Sequence, residues 1–179
     1  MAMRRRTWIW VAVAGVLVVL GAVALIWFQP QKLLYDNRVD EPLPNATAPS
    51  EPTGDSGGNG ASAEPVELAV GTFISREHET TGTARILRLP NGQVILRLED
   101  FQTSNGPALF VYLSQNPAQG EDGAFDDAYI DLGALKGNIG DQNYVVPPEI
   151  DPLGYTSVVV WCDRFSVSFG AADLQPSDM

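Results

Sequence analysis

Three residues of this chain combine a reactive side chain with a neighbourhood that could put it to use: Cys162, Arg164 and His78. Cys162 is the only cysteine. It follows the apolar run Val158–Trp161 and precedes Asp163, Arg164 and the alternating stretch Phe165–Phe169. A thiol reacts as its thiolate, which nearby positive charge and exposure favour. Arg164 stands two residues away and can stabilise the ionised sulfur, while Asp163 opposes it. The competing reading is that Cys162 is a small core hydrophobe continuing the face of Val158 and Val160. His78 is the only histidine and lies between Glu77 and Glu79. It can serve as a base for the thiol, or belong to a solvated polar loop.

The remaining chemistry is bounded by what one cysteine and one histidine exclude. No internal disulfide, four-thiolate cluster or His-rich metal site can form within one chain. Without a second cysteine, sulfur oxidation must stop at the sulfenic acid or pass to a partner thiol, unless the sulfur ligates a metal. The formal net charge of −11 argues against nucleic acid, whose phosphates need clustered Lys and Arg. Glu121, Asp122, Asp126, Asp127 and Asp131 crowd one stretch without the EF-hand spacing, and read as a solvated acidic loop. Gly133–Gly137 lacks the P-loop pattern; Gly133, Gly137 and Gly140 read as turn residues.

The elements that must position Cys162 are strands. Val158–Trp161 is continuously apolar, as in a strand buried on both faces. Phe165, Val167 and Phe169 alternate with Ser166 and Ser168, which predicts one buried and one wet face. A tight reversal at Asp163–Arg164 would join the two as a hairpin with Cys162 at its mouth. Upstream, Val66–Val70, Thr83–Leu89, Gln93–Glu99, Ala108–Ser114, Tyr129–Leu132 and Gln142–Val146 read as further strands. Pro90-Asn91-Gly92 marks a short hairpin turn. No part of 66–179 has a helical period. Many short strands at this spacing predict an all-β fold, an antiparallel β-sandwich.

Ahead of this domain the composition changes twice. Arg4, Arg5 and Arg6 precede an uncharged apolar stretch from Thr7 to Phe28, about 33 Å long as a helix and enough to cross a bilayer. Trp8, Trp10 and Trp27 lie near its ends, where interfacial aromatics collect. Residues 1–28 are therefore read as a cytoplasmic N-terminus and one transmembrane helix, an uncleaved anchor that leaves the rest of the chain outside the cytoplasm. A cleaved signal peptide ending near Ala22–Ala24 is the alternative. Residues 29–65 are rich in proline, glycine and polar residues, and read as a disordered linker. Asn45-Ala46-Thr47 is a glycosylation acceptor pattern.

Several blocks fall in a familiar order: Gly71–Phe73, His78, Gly82–Ala84, Leu98–Phe101, Asn105–Pro107, Val111–Leu113, Leu132–Gly133, Leu135–Gly137, Gly140–Tyr144, Val158–Cys162 and Phe165–Phe169. The chain thereby resembles the DM-thirteen domain, a family of bacterial exported and animal cell-surface proteins, over about 66–174. The resemblance implies an all-β domain acting in electron transfer at the cell surface. It implies that Cys162 is the redox residue, as a bare thiol or as a ligand to a prosthetic group such as haem. By residue type, His78 is a second candidate ligand. Covalent c-type haem is excluded, because no Cys-x-x-Cys-His occurs. A redox or electron-transfer module with a redox partner protein is expected, rather than a turnover enzyme. A non-catalytic binding or adhesion module held off the membrane by its linker is the alternative.

Overall fold

The computed structural model describes residues 2–29, 35–44, 64–125 and 127–177. The glycosylation pattern at 45–47, most of the expected linker and Asp126 lie outside the described residues. The chain divides into two compact units, residues 1–35 and 36–179.

The first unit holds one helix, α1 (Ala2–Phe28). Its segment Trp10–Trp27 has a mean hydropathy of 2.5 and is long and apolar enough to cross a membrane. The side chains from Trp10 to Trp27 are all exposed in the chain by itself. A helix that is apolar all round has no polar face to turn to water, as a bilayer span requires.

The second unit is a sandwich of two five-stranded antiparallel sheets. Sheet 1 contains β1 (Val66–Thr72), β3 (Thr81–Arg88), β4 (Val94–Gln102), β7 (Gln142–Val145) and β10 (Gln175–Pro176), in the order β10-β1-β3-β4-β7. Sheet 2 contains β2 (Ile74–Ser75), β5 (Leu109–Ser114), β6 (Tyr129–Ala134), β8 (Ser157–Cys162) and β9 (Val167–Asp173), in the order β2-β9-β8-β5-β6. Period-two alternation sends Leu68, Ile86, Leu96, Leu98 and Tyr144 from sheet 1 into the middle, against Leu109, Val111, Leu113, Val158, Val160, Cys162 and Phe169 from sheet 2. The predicted strands all appear. The two-residue edge strands β2 and β10 are too short to leave a period in the sequence.

The hairpin at the end of the chain departs from expectation in its turn and in one of its faces. The reversal is a loop of residues 163–166 rather than Asp163–Arg164 alone, with Ser166 at a positive φ of 51°. Phe165 therefore sits in the turn, 45% exposed, and is no part of the core. Beyond the turn, β8 and β9 pair antiparallel, Cys162 with Val167 and Trp161 with Ser168. The register then shifts so that Val160 pairs with Gly170, leaving Phe169 as the extra residue of a bulge. Ser168 points away from Phe169 as the alternation requires, but that face is not wet. Ser168 is fully buried, donates its hydroxyl to the Asp122 carboxylate and accepts from Arg76 Nε at 3.2 Å.

What covers Ser168 is the stretch expected to be a solvated acidic loop. Residues 115–125 fold over the outer face of sheet 2, and Ala118 and Phe125 pack on Tyr112, Val159, Trp161 and Ala171. The Arg76 guanidinium lies over the Phe125 ring at 5.7 Å and donates to the Gly120 carbonyl at 2.6 Å. Asp122 spends its charge on Arg76 and Ser168. An acidic composition concealed one fully buried aromatic and one ion-paired carboxylate.

The stretch read as linker also contributes to the sandwich. Within residues 36–43, Val39 N donates to Ile139 O at 2.9 Å, Glu41 N to Asp141 O at 2.8 Å, and Leu43 packs on Leu87, Leu89 and Ile95 on the outer face of sheet 1. The Glu41 carboxylate accepts from Lys136 Nζ and from Asn143 N, each at 2.8 Å. Gly137 and Gly140 are required by this strap. A Cβ on Gly137 would collide with the Asn37 carbonyl, and one on Gly140, at φ 102°, with the Val39 carbonyl. Low hydrophobicity was a poor guide here, because backbone pairing and one apolar anchor hold the segment.

Candidate functional site

Cys162 lies at the C-terminal end of β8, paired with Leu109 of β5 on one side and Val167 of β9 on the other. Its inward direction follows from the strand period, which sends Val158, Val160 and Cys162 into the core and Val159 and Trp161 to the opposite face. The residue is 0% exposed. Its thiol donates to the Pro107 carbonyl at 3.2 Å. Burial pushes the thiol above its usual range; the amides of Phe165 and Arg164 and the Arg164 guanidinium pull the other way, and Asp163 adds to the rise. Burial outweighs the rest, so the resting sulfur is a neutral thiol at neutral pH.

His78 lies in the bend after β2. Its ring stacks on Phe169, with centroids 3.8 Å apart and planes at 29°, and its amide donates to the Phe169 carbonyl at 3.3 Å. It is half-buried rather than solvated, and burial holds its imidazole below its usual range against the opposing charge of Glu77. The segment Gly106–Pro107 relates His78 to Cys162. Phe169 presses its far edge on Gly106, where a Cβ would come within 2.9 Å of its Cζ. The next residue, Pro107, carries the carbonyl that accepts from Cys162. Thus His78, Phe169, Gly106, Pro107 and Cys162 form one contiguous array at one end of the sandwich.

The residues present do not fit a haem at Cys162. The sulfur is enclosed by core side chains of both sheets and its hydrogen goes to Pro107. The face of His78 lies flat on Phe169 at van der Waals distance. A planar macrocycle between Cys162 and His78 would have to displace Phe169 and unpack the core.

One group of residues near Cys162 was not singled out from the sequence. Trp161, fully buried on the outer face of β8, has Tyr112 at 6.4 Å and Phe125 at 6.5 Å between ring centroids. Tyr112 in turn stacks on Tyr129 of β6 at 4.3 Å with planes 18° apart. The adjacency of Trp161 and Cys162 was a signal for it. On a strand buried on both faces, neighbours face opposite ways, so an aromatic beside the cysteine must anchor a second cluster behind it.

The family model for the electron-transfer DM13 domain matches residues 72–174. The chain belongs to the DM13 family. Comparison with curated proteins found no match, and comparison with solved structures found none. The DM13 match takes in β2 to β9 whole, with Cys162, Arg164, His78, Pro107 and the aromatic group behind Trp161. The helix α1 and the strap at 36–43 lie outside it.

Proposed function

We propose that this protein is a membrane-anchored electron-transfer module whose DM13 domain stands outside the cytoplasm and whose redox group is the Cys162 thiol. The observation that carries the reading is the match to an electron-transfer family across a domain whose single thiol ends a central strand. The orientation rests on Arg4, Arg5 and Arg6 ahead of the apolar stretch, since basic residues are retained on the cytoplasmic side. The thiol is protected at rest. It becomes reactive when the turn 163–166 opens and frees it from Pro107; the amides of Arg164 and Phe165 and the Arg164 charge then favour the thiolate. Oxidation passes to a partner thiol or halts at the sulfenic acid, because no second cysteine exists in the chain.

The burial of Cys162 also favours a second reading, a non-catalytic binding or adhesion module in which the thiol is only a core residue. Isolation from native membranes under thiol-trapping conditions separates the two. The redox module gives a mixed disulfide that Cys162→Ser abolishes without unfolding the domain. The binding module gives none, and Cys162→Ala leaves the protein's cellular role intact. Protease added outside intact cells should remove the DM13 domain and leave α1; protection of the domain would reverse the assigned orientation.

A further inference from the structure

We infer that Tyr129, Tyr112 and Trp161 form a relay through which single electrons leave the domain, running from the β6 edge to the strand that carries Cys162. This rests on the electron-transfer reading above and adds the route. After the thiol itself, tyrosine and tryptophan are the side chains most easily oxidised by one electron. Here three of them stand in line from surface to core. Tyr129 is 38% exposed, Tyr112 5% and Trp161 1%. Ring centroids are 4.3 Å apart at the first step and 6.4 Å at the second. One peptide unit joins Trp161 to Cys162. Phe125, edge-on to the indole, and the loop around it keep water from the inner two rings. Burial is the largest influence on the Tyr112 phenol and keeps it protonated, and the negative charges of Asp131, its cross-strand partner, and of Asp163 act in the same direction. Such charge eases the removal of an electron.

Each step balances. A one-electron oxidant at the β6 edge takes an electron from Tyr129, whose phenol proton goes to water. Tyr112 then passes a hydrogen atom to the Tyr129 phenoxyl across their stacked rings, restoring Tyr129. Trp161 gives an electron to the Tyr112 phenoxyl, which takes back a proton through Tyr129 from water. Cys162, joined to Trp161 by one peptide unit, returns an electron to the indole, and its thiol proton leaves to water through the opened 163–166 turn, so the sulfur becomes a thiyl radical. The net change is one electron to the oxidant, one proton to water and one S–H bond broken.

The test uses the full chain in detergent with a photo-oxidised ruthenium tris-bipyridine complex, a cationic one-electron oxidant suited to an acidic protein. Under oxygen, mass spectrometry of the Cys162 peptide reads sulfur oxidation. Tyr129→Phe and Tyr112→Phe keep the rings but remove the oxidisable hydroxyls. Direct attack on a buried sulfur is slow, so each should lower light-driven Cys162 oxidation by about tenfold. Neither should change oxidation by hydrogen peroxide, a two-electron reagent that needs no relay. Equal light-driven oxidation in wild type and Tyr129→Phe would overturn the relay. In Cys162→Ala protein that also carries Trp8→Phe, Trp10→Phe and Trp27→Phe, the hole should rest on Trp161, giving an indolyl radical signal that Tyr129→Phe and Trp161→Phe each remove. If that signal appears while the wild-type sulfur stays unoxidised, the relay stands and the assignment of Cys162 as the redox group falls.

Discussion

Phe169 is the residue on which both His78 and the Gly106–Pro107 segment depend, and a pair of substitutions can measure that dependence. Its ring is 3% exposed and held between the His78 imidazole on one side and Gly106 on the other. Phe169→Ala removes the ring from a packed core and should cost about 3–5 kcal/mol in transfer energy and cavity. Gly106→Ala does the reverse. Gly106 does not have a positive φ, so its backbone accepts alanine, but the new methyl would lie 2.9 Å from Phe169 Cζ and 3.1 Å from Cε2. That overlap should cost about 1–3 kcal/mol. The two penalties cannot add, because the methyl clashes only with the ring. The double variant should be as stable as Phe169→Ala alone, giving a coupling of about 1–3 kcal/mol equal to the Gly106→Ala cost. Guanidinium unfolding of the chain in detergent, in a Trp8→Phe, Trp10→Phe, Trp27→Phe background so that fluorescence reports the buried Trp161, provides the numbers. Strictly additive penalties would refute this packing and with it the link drawn between His78 and Pro107.

Three further outcomes are expected. Ser168→Ala should destabilise by about 1–3 kcal/mol, since it removes the buried hydroxyl that bridges Asp122 and Arg76; a neutral result in chemical denaturation would return the 115–125 loop to solvent. Glu41 should release its strap in acid. Burial alone would raise its carboxyl, but the Lys136 ammonium, the Asn143 amide and the Arg97 charge together hold it below its usual range. Its contribution is therefore fully present above the ordinary carboxylate range of about 4–5 and is lost as pH falls through the lowered value. Hydrogen exchange at 36–43 should accelerate in that window ahead of the core strands, and Glu41→Gln should remove the pH dependence. Alkylation of Cys162 in the folded chain should be slow at neutral pH and should speed up when Pro107 and the 163–166 turn are loosened by mild denaturant; fast alkylation without denaturant would contradict the burial of the sulfur.

The strands around Cys162 were legible because burial on two faces and burial on one leave different sequence patterns. The run Val158–Trp161 and the alternation Val167–Phe169 gave the sandwich and the inward direction of the thiol. Two other things were not legible. Phe165 continues the alternation on paper, yet falls in a four-residue turn, because turn length and the bulge at Phe169 are set by pairing that no local pattern records. The covering segments were also hidden. Residues 36–43 and 115–125 look solvated by composition, and each is held by a few long-range contacts, Leu43 and Glu41 in one, Phe125 and Asp122 in the other. The same limit applied to the site. The sequence singled out Cys162, Arg164 and His78 by type, but Pro107, Phe169 and the Tyr129–Tyr112–Trp161 line are defined by neighbours far away in the chain.

The central claim, that this DM13 domain moves electrons through Cys162, is tested most directly by protein-film voltammetry of the full chain and its Cys162→Ala variant on the same electrode. A redox wave should appear in the wild type and be absent from Cys162→Ala, while both proteins retain the same thermal unfolding profile. An identical response from the two proteins, with or without a wave, would contradict it.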